Sequence, residues 1–233
     1  MQIDYAKVLV TGGSSGIGLE TASQLRLRGA AVAICGRDGE KLQRIADNIG
    51  AVPIQADVSV ESDVVEMVGM IVDRFGDYNV LINNAGFGHF APLVETTLEE
   101  MQRVYATNVF GAMLVARESA RHFVRQSYGN IVNVVSTAGQ RGFAGGTAYA
   151  SSKFALAGMT ECWRAELRKH NVRVMQINPS EVQTQFFAAA SREQKFSDRK
   201  LRSLEIAHAI VSMLEMDDRG FVPEMSVWAT NPD

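Results

Sequence analysis

A chain of 233 residues, 46% of them hydrophobic, is long enough for one sizeable core and short for two, so a single domain over 1–233 is expected. The formal net charge is only −3, from well-mixed acids and bases, which excludes an electropositive surface for nucleic acid or anionic membrane. No apolar run approaches the roughly 18 residues of a membrane span, and no charged-then-apolar leader opens the chain, so the expected location is cytoplasmic.

Residues 8–10 form a short apolar run that ends in a glycine-rich turn. Helical spacing follows over 17–28, then another apolar run at 31–35, which together make one β-α-β unit. The alternation continues with a helix over 39–49, a strand over 52–56, and Val64, Val68, Ile71, Val72 and Phe75 on one helix face. Further strands are expected at 79–82, 130–135 and 172–177, separated by helices over 97–126 and 149–169. Strands this apolar are covered on both faces. Beyond Thr184 the stretch 186–202 is mixed and helix-prone. Ile206, Ile210, Met213 and Leu214 then mark a last helix, and a short strand is expected near Val227. The pattern predicts an α/β fold with a doubly wound parallel sheet, whose ligands lie beyond the carboxyl ends of the strands.

The turn after the first strand reads Thr11-Gly12-Gly13-Ser14-Ser15-Gly16-Ile17-Gly18. Glycines there allow a tight turn and bring backbone N–H groups close to a pyrophosphate, while the following helix N-terminus favours negative charge. About 20 positions further on, an acidic residue would accept from the ribose of NAD, whereas an arginine suits the 2′-phosphate of NADP. Gly36 holds that place and Arg37 follows it, so NADP(H) is preferred and NAD(H) is not excluded. Asp38 beside it reads as the cap of the helix at 39–49, and an ordinary solvated charge is the other reading of Arg37.

Tyr149 and Lys153 are four residues apart at the start of a helix and share a face. A phenol ionises near pH 10 in isolation, and a neighbouring ammonium is expected to bring it down toward the range useful for general acid/base catalysis. The TGxxxGxG turn and the YxxxK pair resemble those of the short-chain dehydrogenase/reductase family, in the branch of chains about this long. The resemblance extends to Asn83-Asn84-Ala85-Gly86 (NNAG) and to Asn178-Pro179-Ser180-Glu181-Val182-Gln183-Thr184, close to NPGxVxT with its glycine replaced by Ser180.

That resemblance implies a Rossmann fold of seven parallel strands, with Asn108, Ser136, Tyr149 and Lys153 as the catalytic set. Ser136 would bond the substrate oxygen, with Thr137 as its neighbouring alternative, and Asn108 would support a proton relay to Lys153. The resemblance also implies that Gly12, Ser14, Ser15, Gly16, Ile17, Gly18, Arg37, Asp57, Val58, Asn84, Ala85, Gly86, Tyr149, Lys153, Pro179, Val182 and Thr184 bind the dinucleotide. Asp57 and Val58 would meet adenine, although Asp57 reads equally as a helix cap. Val182 and Thr184 would hold the nicotinamide end, and a lid would cover the substrate over about 185–202.

The implied reaction is hydride transfer from NADPH to a small-molecule ketone or aldehyde. Candidate substrates are 3-oxoacyl groups on acyl carrier protein or, alternatively, those of a general carbonyl or pteridine-type reductase. The C-terminal GFVPEMSVWATNPD lacks the ending typical of the acyl-carrier enzymes. A dinucleotide-binding regulator without turnover is the reading from another class. A homotetramer or homodimer is implied, pairing helices 97–126 and 149–169, whose apolar sides exceed one core-facing stripe. His89, just past NNAG, falls at the edge of the implied substrate cleft. No metal is expected, because the four histidines and the two cysteines, Cys35 and Cys162, lack ligand spacing; both thiols read as buried.

Overall fold

The computed structural model describes residues 1–184, 186 and 197–232. Its strands are β1 (Lys7–Thr11), β2 (Ala31–Gly36), β3 (Val52–Gln55), β4 (Val80–Asn83), β5 (Gly129–Val134), β6 (Val172–Pro179), β7 (Val182–Gln183), β8 (Leu201–Arg202) and β9 (Glu224–Val227). Its α-helices are α1 (Gly16–Leu27), α2 (Gly39–Ile49), α3 (Glu61–Phe75), α4 (Leu98–Tyr105), α5 (Ala112–Gln126), α6 (Thr147–Leu167) and α7 (Ser203–Glu215).

The main sheet has seven strands in the order β3-β2-β1-β4-β5-β6-β9, and every pairing is parallel. Alternation along each strand decides the layers. Val8, Val10, Val32, Ile34, Val80, Ile82, Met175 and Ile177 join one buried cluster with residues of α1, α2 and α7. Leu9, Ala33, Cys35, Leu81, Ile131 and Val174 join a second cluster with residues of α3 and α5. Successive side chains point to opposite faces, so a strand apolar at every position must be covered twice, as the sequence predicts. The order reverses between β1 and β4, which opens a crevice at their carboxyl ends.

Helix 97–126 is not one regular helix. Between α4 and α5 the six residues Ala106–Gly111 form a π-helical turn, and Asn108 lies buried inside it. A widened turn of this kind leaves backbone groups out of the regular ladder and is characteristic of functional positions. Thr97 begins α4 with a complete capping box shared with Glu100, and Asp38 caps α2 by accepting from Lys41 N at 3.0 Å. Cys35 is buried as expected, but Cys162 is exposed, because the side of α6 that carries it faces away from the sheet.

Of the expected lid, Gln185 and 187–196 lie outside the described residues. Residues 201–202 form β8, paired with β7 through Val182 and Leu201. Among the described residues no helix is long and apolar enough to cross a membrane.

Candidate active site

The expected residues collect at one edge of the sheet. Arg37 follows β2, Asp57 follows β3, Asn84 to Gly86 follow β4 and Ser136 follows β5, while Pro179 closes β6. Gly12 and Gly16 have φ of +64° and +55°, the left-handed region that glycine enters without strain. A Cβ on Gly12 would stand 3.0 Å from Ala85 Cα, so the turn packs directly on the NNAG segment.

The Thr11 hydroxyl fixes that junction. Its Oγ1 accepts from Asn84 N at 2.9 Å and Ala85 N at 3.0 Å, and Asn84 Nδ2 donates back to the Thr11 carbonyl at 2.9 Å. Ser15 caps α1 without a side-chain hydrogen bond to its first turn, so those backbone N–H groups are not spent on the cap. Ser14 Oγ would lie 3.5 Å from a Cβ on Gly36, which places the turn beside the end of β2, and Ile17 packs on the core below it.

At the far end Arg37 and Asp57 line one open pocket of about 380 Å³ with Gln55, Met67 and Met70. Burial pushes the Asp57 carboxyl up. Hydrogen bonds from the Ser59 hydroxyl and amide, with the charge of Arg37, outweigh that and hold it below its usual range. Val58 is buried against this end. The Arg37 side chain is exposed and lies outside any ion pair with Asp38, which is occupied as a cap. On the other side a Cβ on Gly16 would sit 3.5 Å from Thr184, so the turn and the end of the β7 segment face each other. The uncapped helix terminus, the glycine cradle and the exposed Arg37 guanidinium fit the phosphates of a dinucleotide.

Asn108, Ser136, Tyr149 and Lys153 converge at the middle of this edge. A Cβ on Gly86 would stand 3.0 Å from Asn108 Oδ1 and 3.7 Å from Lys153 Nζ. The Ser136 hydroxyl stands where it favours ionisation of the Tyr149 phenol, although within the protein it donates to the Pro179 carbonyl at 3.4 Å and accepts from Ala138 N at 3.1 Å; Lys153 Nζ lies 5.8 Å from the centre of the tyrosine ring. The lysine is buried and donates to the Val134 carbonyl at 2.9 Å.

Burial dominates both ionisations. It pushes the Tyr149 phenol up to about 12, against the opposing pull of the Ser136 hydroxyl, and it lowers Lys153 to about 8. The expectation that Lys153 alone brings the phenol down toward neutrality is therefore corrected for the free protein. The low-dielectric site disfavours phenolate and ammonium alike.

The Asn108 amide does not point at the lysine. Its Nδ2 donates to the Phe87 carbonyl at 2.9 Å and to Ser152 Oγ at 3.0 Å, and its Oδ1 accepts from Phe87 N at 3.0 Å. Ser152 in turn donates to the Tyr149 carbonyl at 2.7 Å.

Beneath the site the first asparagine of the NNAG segment enters a buried polar chain whose other members, Asn133 and Thr160, the sequence reading missed. Asn83 Nδ2 donates to the Ala112 carbonyl at 2.9 Å and to Asn133 Oδ1 at 3.2 Å, and Asn133 Nδ2 donates to Thr160 Oγ1 at 2.8 Å. The chain ties α5, β4, β5 and α6 together. Its signal was present as one asparagine inside the otherwise apolar strand 131–135.

The replacement at Ser180 is harmless to the backbone, because Ser127 and Asn171 are the positive-φ non-glycine residues among those described. His89 does not turn into the cleft; its Nε2 lies 3.2 Å from Glu100 Oε2 in the α4 cap. Among the described residues no cluster of three metal-ligating side chains occurs.

Residues 6–195 match the sequence profile of the short chain dehydrogenase family. A 3-oxoacyl-[acyl-carrier-protein] reductase of Homo sapiens is 31% identical over 212 residues, which covers 88% of this chain and 90% of that one. An oxidoreductase of Bacillus subtilis is 35% identical over 187 residues, 77% of this chain, and the chain spans about half, 52%, of that relative. An alcohol dehydrogenase from the archaeon Thermococcus sibiricus, solved with 5-hydroxy-NADP, shares the fold with a TM-score of 0.88 at 27% identity, over 96% of both chains. Matched over most of its length by one profile and sharing the same parallel sheet, the chain belongs to the short-chain dehydrogenases, a family of NAD(P)-dependent oxidoreductases.

Proposed function

We propose that the chain is an NADPH-dependent reductase that converts a ketone or aldehyde to an alcohol. The observation that carries this reading is the Tyr149 phenol, beside the Ser136 hydroxyl and buried Lys153, at the mouth of a crevice that fits a dinucleotide. When bound, the dinucleotide supplies a hydride, and with it both electrons, to the carbonyl carbon.

The chain's own residues do the rest. Pushed up to about 12, the phenol keeps its proton at neutral pH and acts as the acid that donates it to the carbonyl oxygen. Ser136 holds that oxygen by a hydrogen bond. As the C=O π bond is lost, a C–H bond and an O–H bond form, and the phenolate left behind is stabilised by Ser136 and by the Lys153 ammonium. Asn108 acts through Ser152 on the helical turn that presents both residues, and its place in the π turn near Lys153 suits it to support a proton relay to that lysine.

Arg37 supports the choice of NADP, because a permanently charged guanidinium suits a 2′-phosphate and no acid occupies the preceding position. Phe110 and Phe154 are 55% and 46% exposed on the π turn and α6, which supports pairing of these helices in a homotetramer or homodimer. A second reading takes 3-oxoacyl groups on acyl carrier protein as substrate and is supported by the human relative.

A panel of ketones, aldehydes and 3-oxoacyl thioesters, followed at 340 nm with NADPH and NADH separately, tests the assignment. Turnover lost in Tyr149→Phe with NADPH binding retained is the expected result. Absence of turnover on every compound would favour a dinucleotide-binding regulator.

A further inference from the structure

Two phenylalanines from separate loops pack on the Tyr149 ring, and a third, from another loop, packs on one of them. Phe90, beyond β4, meets the tyrosine ring edge-on with centroids 5.5 Å apart. Phe186, beyond β7, stands 5.3 Å from the same ring. Phe143, between β5 and α6, lies 6.0 Å from Phe90, and Phe186 lies 6.5 Å from it, so the three form one apolar wall.

The backbone is shaped to admit these rings. A Cβ on Gly146 would fall 2.7 Å from the Phe143 ring, and one on Gly88 would fall 2.8 Å from Phe90 and 3.0 Å from Phe186. Ala91 N donates to the Gly145 carbonyl at 3.0 Å, which clamps the loop of Phe90 to the loop of Phe143.

Three polar side chains near these loops are engaged elsewhere, while Arg141, two positions before Phe143, is exposed. His89 faces Glu100 at 3.2 Å, Arg103 lies over the Phe87 ring at 5.9 Å, and Gln140 donates to Glu224 at 2.5 Å. Beside Tyr149 the described residues place the Ser136 hydroxyl and the rings of Phe90 and Phe186, with Phe143 packed on Phe90.

Resting on the carbonyl-reductase reading, we infer that this wall selects compact, apolar cyclic ketones, aryl or alicyclic, over the flexible polar arm of an acyl thioester. A ring entering beside the phenol exchanges water for phenyl contacts of the kind the wall already makes with itself. An acyl-carrier arm brings amides and a phosphate. Placed against phenyl faces, its amides lose water without gaining a hydrogen bond, a cost that counts against it. Ser136 and Tyr149 are the two groups needed to fix the single polar atom of a ring ketone.

The test uses the full chain with NADPH and, separately, NADH, and three carbonyls: 1-tetralone, butane-2,3-dione and acetoacetyl-CoA. The expected kcat/KM for 1-tetralone exceeds that for either of the others by roughly 30-fold, as burial of one further ring implies. Phe143→Ala and Phe186→Ala should each reduce that ratio by about tenfold, while Phe143→Leu, which keeps apolar volume, should retain at least about a third of it. Calorimetric binding of 1-tetralol in the presence of NADP should weaken by about tenfold in both alanine variants, independent of turnover.

Preference for acetoacetyl-CoA or butane-2,3-dione, or a ratio unmoved by both alanine variants, overturns the ring-ketone inference and leaves the reductase reading intact. Failure to reduce all three carbonyls with either dinucleotide overturns both.

Discussion

The amide of Asn108 donates to the Ser152 hydroxyl, and that hydroxyl donates to the carbonyl of Tyr149. A residue in the π turn is thus connected through one buried serine to the helical turn that carries both the phenol and the ammonium. Ser152 is buried and its hydroxyl bonds Asn108 and the Tyr149 carbonyl, so it acts through these neighbours as a positioning residue. Ser152→Ala should cost about 1–3 kcal/mol of stability, the usual result of removing a buried hydrogen-bond partner. It should also lower kcat by about tenfold with KM for NADPH changed less than about twofold. Thermal melts and steady-state kinetics measured together check this; an unchanged kcat would show that the serine only packs.

Lys153 gives a prediction about pH. It is a base whose folded pKa, about 8, lies below its ordinary 10.5 because of burial. The unfolded chain therefore holds that proton more tightly, and the resulting penalty is present in full below pH 8 and lost as pH rises through 10.5. Lys153→Met should relieve up to about 3 kcal/mol at pH 7, less the value of the bond to Val134. Urea melts of both proteins at pH 7 and pH 10 should show the gain shrinking at the higher pH; a gain that grows would refute the assignment.

Arg37 is expected to act on one cofactor only. Arg37→Ala should weaken NADPH by about tenfold or more, as for a charge-assisted contact with phosphate, while NADH affinity stays within about twofold. Fluorescence titration with each dinucleotide separates the cases, and equal losses would reject the phosphate role.

The buried chain through Asn83, Asn133 and Thr160 should be costly to cut. Asn133→Leu removes one of the two acceptors of the Asn83 amide and the donor to Thr160 Oγ1, while Asn83 keeps the Ala112 carbonyl and Thr160 the Leu156 carbonyl, and should destabilise the fold by about 1–3 kcal/mol. Thr160→Val should cost less, because it removes one hydroxyl and leaves Asn133 its bond from Asn83. Chemical denaturation of the two variants orders them.

Much of the fold could be read in one dimension because its causes are local. Runs such as 8–10 and 31–35, each followed by a helical period, can be buried on both faces only in a parallel sheet, and the strand order then places the turn at 11–18 at the crevice. The identities of Tyr149 and Lys153 and their spacing were equally plain, because four residues on a helix make one face.

What the sequence could not determine was environment, because burial and hydrogen bonding depend on residues far apart in the chain. Only the tertiary structure decided that burial outweighs the mutual effect of Tyr149 and Lys153, leaving a protonated phenol where spacing alone had implied a readily ionised one. It decided that Asn108 bonds Phe87 and Ser152, that Cys162 faces outward and that His89 turns to Glu100. It also decided that Phe90 and Phe186, nearly a hundred positions apart, meet on the ring of Tyr149, with Phe143 packed on Phe90. Sequence determined the kind of reaction, through residue types at helical and strand-end spacings; the packing of distant loops sets the environment in which those residues work.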